Sequence, residues 1–129
     1  MNTKSLMGMS ALFMAALGIA ASFLPREIAS YLGVRPEAYA VLIIQVAGAL
    51  YLGFAMLNWM AKAVLIGGIY SRPVALGNFL HFAVVAIILA KALAGGLRTK
   101  EIAIGAAIYS PFALWFGLVL FAHPRKLET

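Results

Sequence analysis

The chain has 129 residues, of which 64% are hydrophobic, and it carries 10 Lys and Arg against 4 acidic residues, all of them Glu. Soluble domains are roughly half apolar and about a quarter charged. With only 11% charged residues, the sequence excludes a water-soluble globule, and its apolar content excludes an intrinsically disordered chain. The absence of cysteine excludes disulfides, thiolate metal sites and a cysteine nucleophile.

The apolar residues fall into four long runs. A transmembrane helix takes about 20 such residues, so the composition predicts an all-α polytopic membrane protein. We expect one domain over residues 1–129, a four-transmembrane-helix bundle with spans at about 5–24, 38–61, 74–94 and 102–122. For the first run, a secretory signal peptide is the alternative, because Lys4 precedes it and Ala20-Ala21-Ser22 follow its core.

A short interfacial amphipathic helix is predicted between spans one and two. Pro25 suits a first helical position, where no backbone N–H is needed, and Gly33 suits a left-handed helix end. Ile28, Tyr31 and Leu32 share one face at spacings of three and four. This pattern indicates a helix lying on the membrane surface, and an irregular polar loop is the alternative.

The basic residues lie at the ends of the apolar runs, where they anchor a protein to lipid headgroups. They form no continuous patch, so the bilayer is the expected partner and nucleic acid is not. Lys and Arg divide five and five between the two sides of the membrane, so the positive-inside rule does not choose an orientation. Three of the four Glu lie on the side opposite the termini, where they neutralise part of the positive charge. This distribution favours cytoplasmic termini in a bacterial-type inner membrane.

Polar residues within the predicted spans gather on single helix faces. Span two carries Gln45, Tyr51 and Asn58 on one face, and Tyr109 in span four is expected to point inward with them. The predicted inner face of span three contains Asn78, His81, Val84 and Ile88. Because polar groups are costly in lipid, each of these polar side chains is a functional candidate.

An antiparallel hairpin of spans two and three would bring several of these groups to one membrane face. The predicted polar mouth consists of Asn58, Lys62, Arg72, Asn78 and His81. His123, at the end of span four, is expected at the same face, and the apolar connector 63–71 is expected to rest in the interface. Such a mouth suits a lipid headgroup, a fatty acid or a quinone head. The alternative is hydrogen bonding between helices, which contributes about 1 kcal/mol per contact.

No carboxylate lies inside a predicted span. The four acidic residues fall in connectors or in the tail, at Glu27, Glu37, Glu101 and Glu128. Proton-coupled transport relies on ionisable relays within the membrane, and paired-carboxylate catalysis needs two such groups together. The sequence therefore predicts no catalytic residue, no metal site and no obligatory cofactor, and leaves a quinone or a lipid as the candidate ligand.

Several short motifs resemble a known group of proteins. They are Phe23-Leu24-Pro25, Tyr31-Leu32-Gly33, the stretch from Ala47 to Gly53, and Leu57-Asn58-Trp59. In these the chain resembles the DoxX-like group of small four-helix bacterial membrane proteins, some of which are linked to quinone-dependent oxidoreductases. That resemblance implies the bundle and carries over no catalytic residue. Small multidrug transporters share the length and span number, but they depend on a carboxylate in the first span, which Ser5–Leu24 lacks.

Three functions remain open. The first is a non-catalytic accessory or scaffold protein that holds a lipid-like molecule or a partner helix at the polar mouth. The second is a small membrane enzyme or oxidoreductase subunit acting on a quinone or isoprenoid, and the third is a small-molecule exporter. Alanine and glycine at spacing four, as at Ala49 and Gly53, also allow close contact with a membrane protein partner or a second copy.

Overall fold

The computed structural model describes residues 3–63 and 72–122. Within these ranges all regular structure is helical, without a strand: α1 Thr3–Phe23, α2 Pro25–Tyr31, α3 Ala38–Ala61, α4 Arg72–Ala94 and α5 Lys100–Ala122. Four of the helices, α1, α3, α4 and α5, are long and apolar enough to cross a membrane. The all-α class and the four apolar helices are thus confirmed. Most of the connector 63–71, and His123, lie outside the described residues.

The short helix α2 begins and ends as its sequence predicts. Pro25 occupies the start of the helix, and Gly33 after its end has φ +74°. The N–H of Val34 donates to the carbonyl of Ala29 at 2.8 Å, and the N–H of Gly33 donates to that of Ser30 at 3.1 Å. This pair of bonds is the Schellman motif, which needs a left-handed residue and so favours glycine.

The predicted apolar face of α2 is divided. The helix packs against α3, and its buried residues are Pro25 and Ala29. Ile28 is half-buried, whereas Tyr31 and Leu32 are exposed. Two large side chains at the end of α2 are therefore exposed, as expected of a helix that lies on a membrane surface.

Contacts divide the chain into two units. The first, Met7–Lys62, contains most of α1 together with α2 and α3; we call it the N-terminal unit. The second, Met1–Leu6 with Ala63–Thr129, contains α4 and α5; we call it the C-terminal unit. The prediction of a single domain over the whole chain stays a prediction.

In the N-terminal unit, α1 and α3 run antiparallel and approach closely at two glycines. A Cβ added to Gly48 would lie 2.6 Å from Ser22 Oγ and 2.8 Å from the Ser22 backbone nitrogen. A Cβ on Gly18 would lie 2.9 Å from the backbone nitrogen of Leu52 and 3.0 Å from the Gly48 carbonyl oxygen. Since the obstacles include backbone atoms at both glycines, which cannot move aside as a flexible side chain can, glycine allows the two helices to meet at this distance.

The C-terminal unit is held by aromatic rings between α4 and α5, which also run antiparallel. Phe82 is fully buried and stacks on Phe112 and Phe116, with ring centroids 4.8 and 5.6 Å apart. Phe79 and Phe121 form an edge-to-face pair at 5.6 Å. Aromatic pairs of these kinds add about 0.5–1.5 kcal/mol beyond the area that they bury.

The turn between α4 and α5 repeats the glycine ending of α2. Gly96 has φ +100°, and the N–H of Leu97 donates to the carbonyl of Ala92 at 3.0 Å. Three residues later the Thr99 hydroxyl accepts the backbone N–H of Ile102 at 3.4 Å, which caps the start of α5. A left-handed glycine thus ends α4 as it ends α2.

The glycine contact between α1 and α3 predicts unequal effects for two neighbouring glycines of α3. Gly48→Ala should lower the free energy of unfolding by about 1–3 kcal/mol, because its methyl group would overlap the Ser22 backbone. Gly53→Ala should raise it by roughly 0.5–1 kcal/mol, since nothing lies within 4 Å of the added Cβ and alanine favours the helix. Detergent unfolding of the two variants measures both changes, and equal destabilisation would contradict the close approach.

Candidate functional site

The polar core of the N-terminal unit is a pair of side chains from α1 and α3. Asn58 and Ser10 are both fully buried. The Asn58 amide donates to Ser10 Oγ at 3.1 Å and contacts Met14 Sδ at 3.8 Å. The Ser10 hydroxyl in turn donates to the carbonyl of Met7 at 3.0 Å. Asn58 is therefore engaged in the contact between the two helices.

Sequence reasoning assigned Asn58 to the mouth and missed Ser10. Ser10 lies between apolar residues of the first run, and a hydroxyl there needs a partner once it is buried. Which of the polar residues on the facing helix supplies that partner depends on the register of α1 against α3. The register is a tertiary property, so the pattern of one helix does not contain it.

The side chains of Lys62 and Trp59 contact each other at the end of α3. The Lys62 ammonium nitrogen lies 3.0 Å from the centroid of the Trp59 ring, a cation–π contact. Lys62 is the residue that caps α3, and 47% of the Trp59 surface is exposed. Tryptophan and lysine at the end of an apolar helix are typical of the boundary between hydrocarbon and headgroups.

The other predicted interior residues of α3 differ in their surroundings. Gln45 is exposed, and its amide reaches the Ser22 carbonyl at 3.4 Å, so it lies at the edge of the α1–α3 contact rather than inside it. Tyr51 is half-buried. The difference arises because α1 contacts the face of α3 on which Gly48 and Asn58 are buried.

In the C-terminal unit, α4 buries Asn78 and an aromatic face. Asn78 is fully buried, and its amide donates to the carbonyl of Val74 at 2.9 Å, one turn back along α4. The buried face contains Phe82, whereas Val84 and Ile88 are exposed, contrary to the predicted inner face. Phe82 decides the rotation of the helix, because its ring packs between aromatic side chains of α5.

His81 lies among aromatic rings. Its imidazole centroid is 5.2 Å from that of Phe82 and 5.8 Å from that of Tyr109. The His81 side chain is half-buried with its Nε2 atom covered, and Tyr109 is buried, as the sequence predicts for an interior residue. The imidazole and the phenol thus lie side by side within one helix pair.

The five residues of the predicted mouth belong to both units. Asn58 and Lys62 lie one turn apart at the end of α3 in the N-terminal unit. Arg72, the exposed first residue of α4, shares the C-terminal unit with Asn78 and His81. The mouth that would join the two sets stays a prediction.

Polar and charged groups occupy different places along the described helices. Across residues 3–63 and 72–122, no three His, Cys, Asp or Glu side chains come together to hold a metal ion. The buried amides of Asn58 and Asn78 bond to protein groups, while the cations Lys62 and Arg72 lie at helix ends. Charge is therefore available at the ends of the helices, where it can contact a headgroup.

Comparison with known proteins gives no match to this chain. No family model matches it, and neither does any curated protein or solved structure. The function is therefore inferred from the residues and the geometry of the two units.

The bond between Asn58 and Ser10 predicts an energetic coupling. In a double-mutant cycle of Asn58→Ala and Ser10→Ala, we expect a coupling of about 0.6 kcal/mol and at most about 1.7 kcal/mol, the range for hydrogen bonds between membrane helices. The same cycle with Ser30→Ala, an exposed serine of α2, should give additive effects. Unfolding in mixed detergent micelles measures both cycles. Additivity of Asn58→Ala with Ser10→Ala would show that the bond contributes nothing.

Proposed function

We propose that this chain is an integral protein of a bacterial-type inner membrane, a four-span bundle with both termini in the cytoplasm. Its role is that of a non-catalytic accessory or scaffold protein that holds an amphiphilic, lipid-like molecule at one membrane face. The residues proposed to hold it are Asn58, Lys62, Arg72, Asn78 and His81. The resemblance to the DoxX-like group supports the same architecture.

The exposed surface supports a membrane location. Large apolar side chains project from each long helix of both units, and among them Ile43, Met60 and Leu114 are 67–70% exposed. Leaving apolar surface in water costs roughly 25 cal/mol per Å². Soluble monomers rarely carry contiguous apolar patches above a few hundred Å², whereas a lipid-facing surface carries them without cost.

The observation that carries the scaffold role is how the buried polar groups are used. Asn58 and Asn78 are fully buried and donate to protein acceptors at 3.1 and 2.9 Å. The Asn58 amide thus joins α3 to α1, and the Asn78 amide bonds to a carbonyl of its own helix. The charged groups Lys62 and Arg72 stay at helix ends. A protein with a structural polar interior and cations at its helix ends is built to hold an amphiphile by its headgroup.

A second candidate is favoured by the surroundings of His81. The imidazole lies beside Tyr109 and Phe82, within 5.8 Å between ring centroids. Flat aromatic faces stack on planar conjugated rings, and an imidazole is a hydrogen-bonding group for a carbonyl oxygen. This arrangement supports a small membrane enzyme or oxidoreductase subunit acting on a quinone or isoprenoid.

Native mass spectrometry from gentle detergent tests the scaffold proposal. The wild-type chain should retain a discrete lipid or quinone, and the double variant His81→Ala/Lys62→Ala should lose it, because both ends of the proposed site are removed. Lys91→Ala is the matched control, since this lysine is exposed in the last turn of α4, and it should retain the molecule. Bare protein in all three forms would overturn the proposal.

The enzyme alternative predicts a separate result for His81→Ala alone. Turnover of a quinone should fall by about 10²–10⁴-fold, the usual contribution of a side chain acting as acid or base. The midpoint of thermal unfolding should change little, because the half-buried ring leaves the Phe82 stack in place. Absence of quinone turnover in the wild-type chain would overturn the enzyme alternative.

A further inference from the structure

An open apolar groove lies between α1 and α3 on the N-terminal unit. Its volume is about 290 Å³, and its lining includes Ala11, Ala15, Leu52, Ala55, Met56 and Trp59. Alanines from both helices keep the space open, because longer side chains at these positions would fill it. The groove belongs to the N-terminal unit, whereas His81 belongs to the C-terminal unit.

One end of this groove carries a positive charge. Trp59 lines the groove, and the Lys62 ammonium lies 3.0 Å from the centroid of its ring. Ala55, Trp59 and Lys62 follow one another at spacings of four and three, so they share one face of α3. An apolar channel that ends at a fixed cation is complementary to a molecule with an apolar tail and an anionic head.

The distance along α3 from the first groove residue, Leu52, to Lys62 matches one leaflet of a bilayer. Ten residues separate Leu52 from Lys62, which corresponds to about 15 Å along the helix axis. The hydrocarbon core of a bilayer is about 30 Å thick, so each leaflet contributes about half of it. Because Lys62 lies at the end of the apolar helix, its ammonium is at headgroup depth while Leu52 is near the bilayer centre.

We propose that this groove binds one acyl chain of an anionic phospholipid, with the phosphate on the Lys62 ammonium and the upper part of the chain against the Trp59 ring. Charge complementarity favours this occupant over an apolar partner helix, because the Lys62 ammonium lies on the Trp59 ring that lines the groove. The inference rests on the proposed function, because it names the class of amphiphile and locates its binding at the α3 end of the scaffold.

Fluorescence of Trp59 tests the proposal directly. The chain has two tryptophans, so Trp115→Phe leaves Trp59 as the only reporter. This variant is placed in phosphatidylcholine vesicles, and a lipid with brominated acyl chains is added in increasing fractions. The brominated lipid is phosphatidylglycerol in one series and phosphatidylcholine in the other. Brominated phosphatidylglycerol should reach half-maximal quenching at an about fivefold lower mole fraction, the effect of one lysine near an anionic headgroup.

Two further substitutions separate the head site from the chain site. Lys62→Ala should abolish the preference for phosphatidylglycerol, and Lys91→Ala, the exposed control on α4, should retain it. Ala15→Leu should fill the groove and reduce quenching by both lipids, whereas Ala16→Leu, on the exposed neighbouring position, should not. If Ala15→Leu fails to fold, the lysine pair still decides the outcome, because both lysines are outside the packed core.

The outcomes distinguish this inference from the proposed function. Equal quenching by the two lipids in the Trp115→Phe chain would overturn the phospholipid site. If wild-type protein still retained a molecule that His81→Ala alone removes, the scaffold role would stand with a different ligand. Loss of both the lipid preference and the retained molecule would overturn both proposals.

Discussion

A polar group that leaves water needs a partner inside the protein, and this constraint governs how the two helix pairs are built. In an apolar chain there is little choice of partner, so each buried polar side chain fixes a specific contact. Asn58 bonds to Ser10 across the α1–α3 pair, and Asn78 bonds to a carbonyl of its own helix. The cations are left at the helix ends, where a headgroup or water can solvate them.

The two units solve the packing problem with different side chains. In the N-terminal unit, Gly18 and Gly48 let the backbones of α1 and α3 approach closely, which gains van der Waals contact where lipid provides no hydrophobic drive. In the C-terminal unit, Phe82 fills the space between α4 and α5 together with Phe112 and Phe116. The contact between α1 and α3 leaves an open groove lined by alanines. The packing of α4 against α5 places aromatic rings beside His81.

These two environments suit different ligands. A groove that ends at Trp59 and Lys62 offers an apolar channel with a single charge, the pattern of a lipid site. The neighbourhood of His81 and Tyr109 offers aromatic faces and polar ring atoms, the pattern of a site for a planar head. Carboxylates are absent from the interior of both helix pairs because the sequence places its four Glu in connectors, at a helix start or in the tail.

By itself, the sequence determined the helices and their ends. Apolar runs of about 20 residues predicted the four long helices, and Pro25 and Gly33 predicted α2, because these signals act within a few residues of the chain. Tertiary structure decided which faces meet. The partner of Asn58 proved to be Ser10, and Phe82 rather than Val84 turned inward, because helix register and rotation follow from the fit of two surfaces. The sequence pattern of one helix describes only its own surface and not the surface that packs against it.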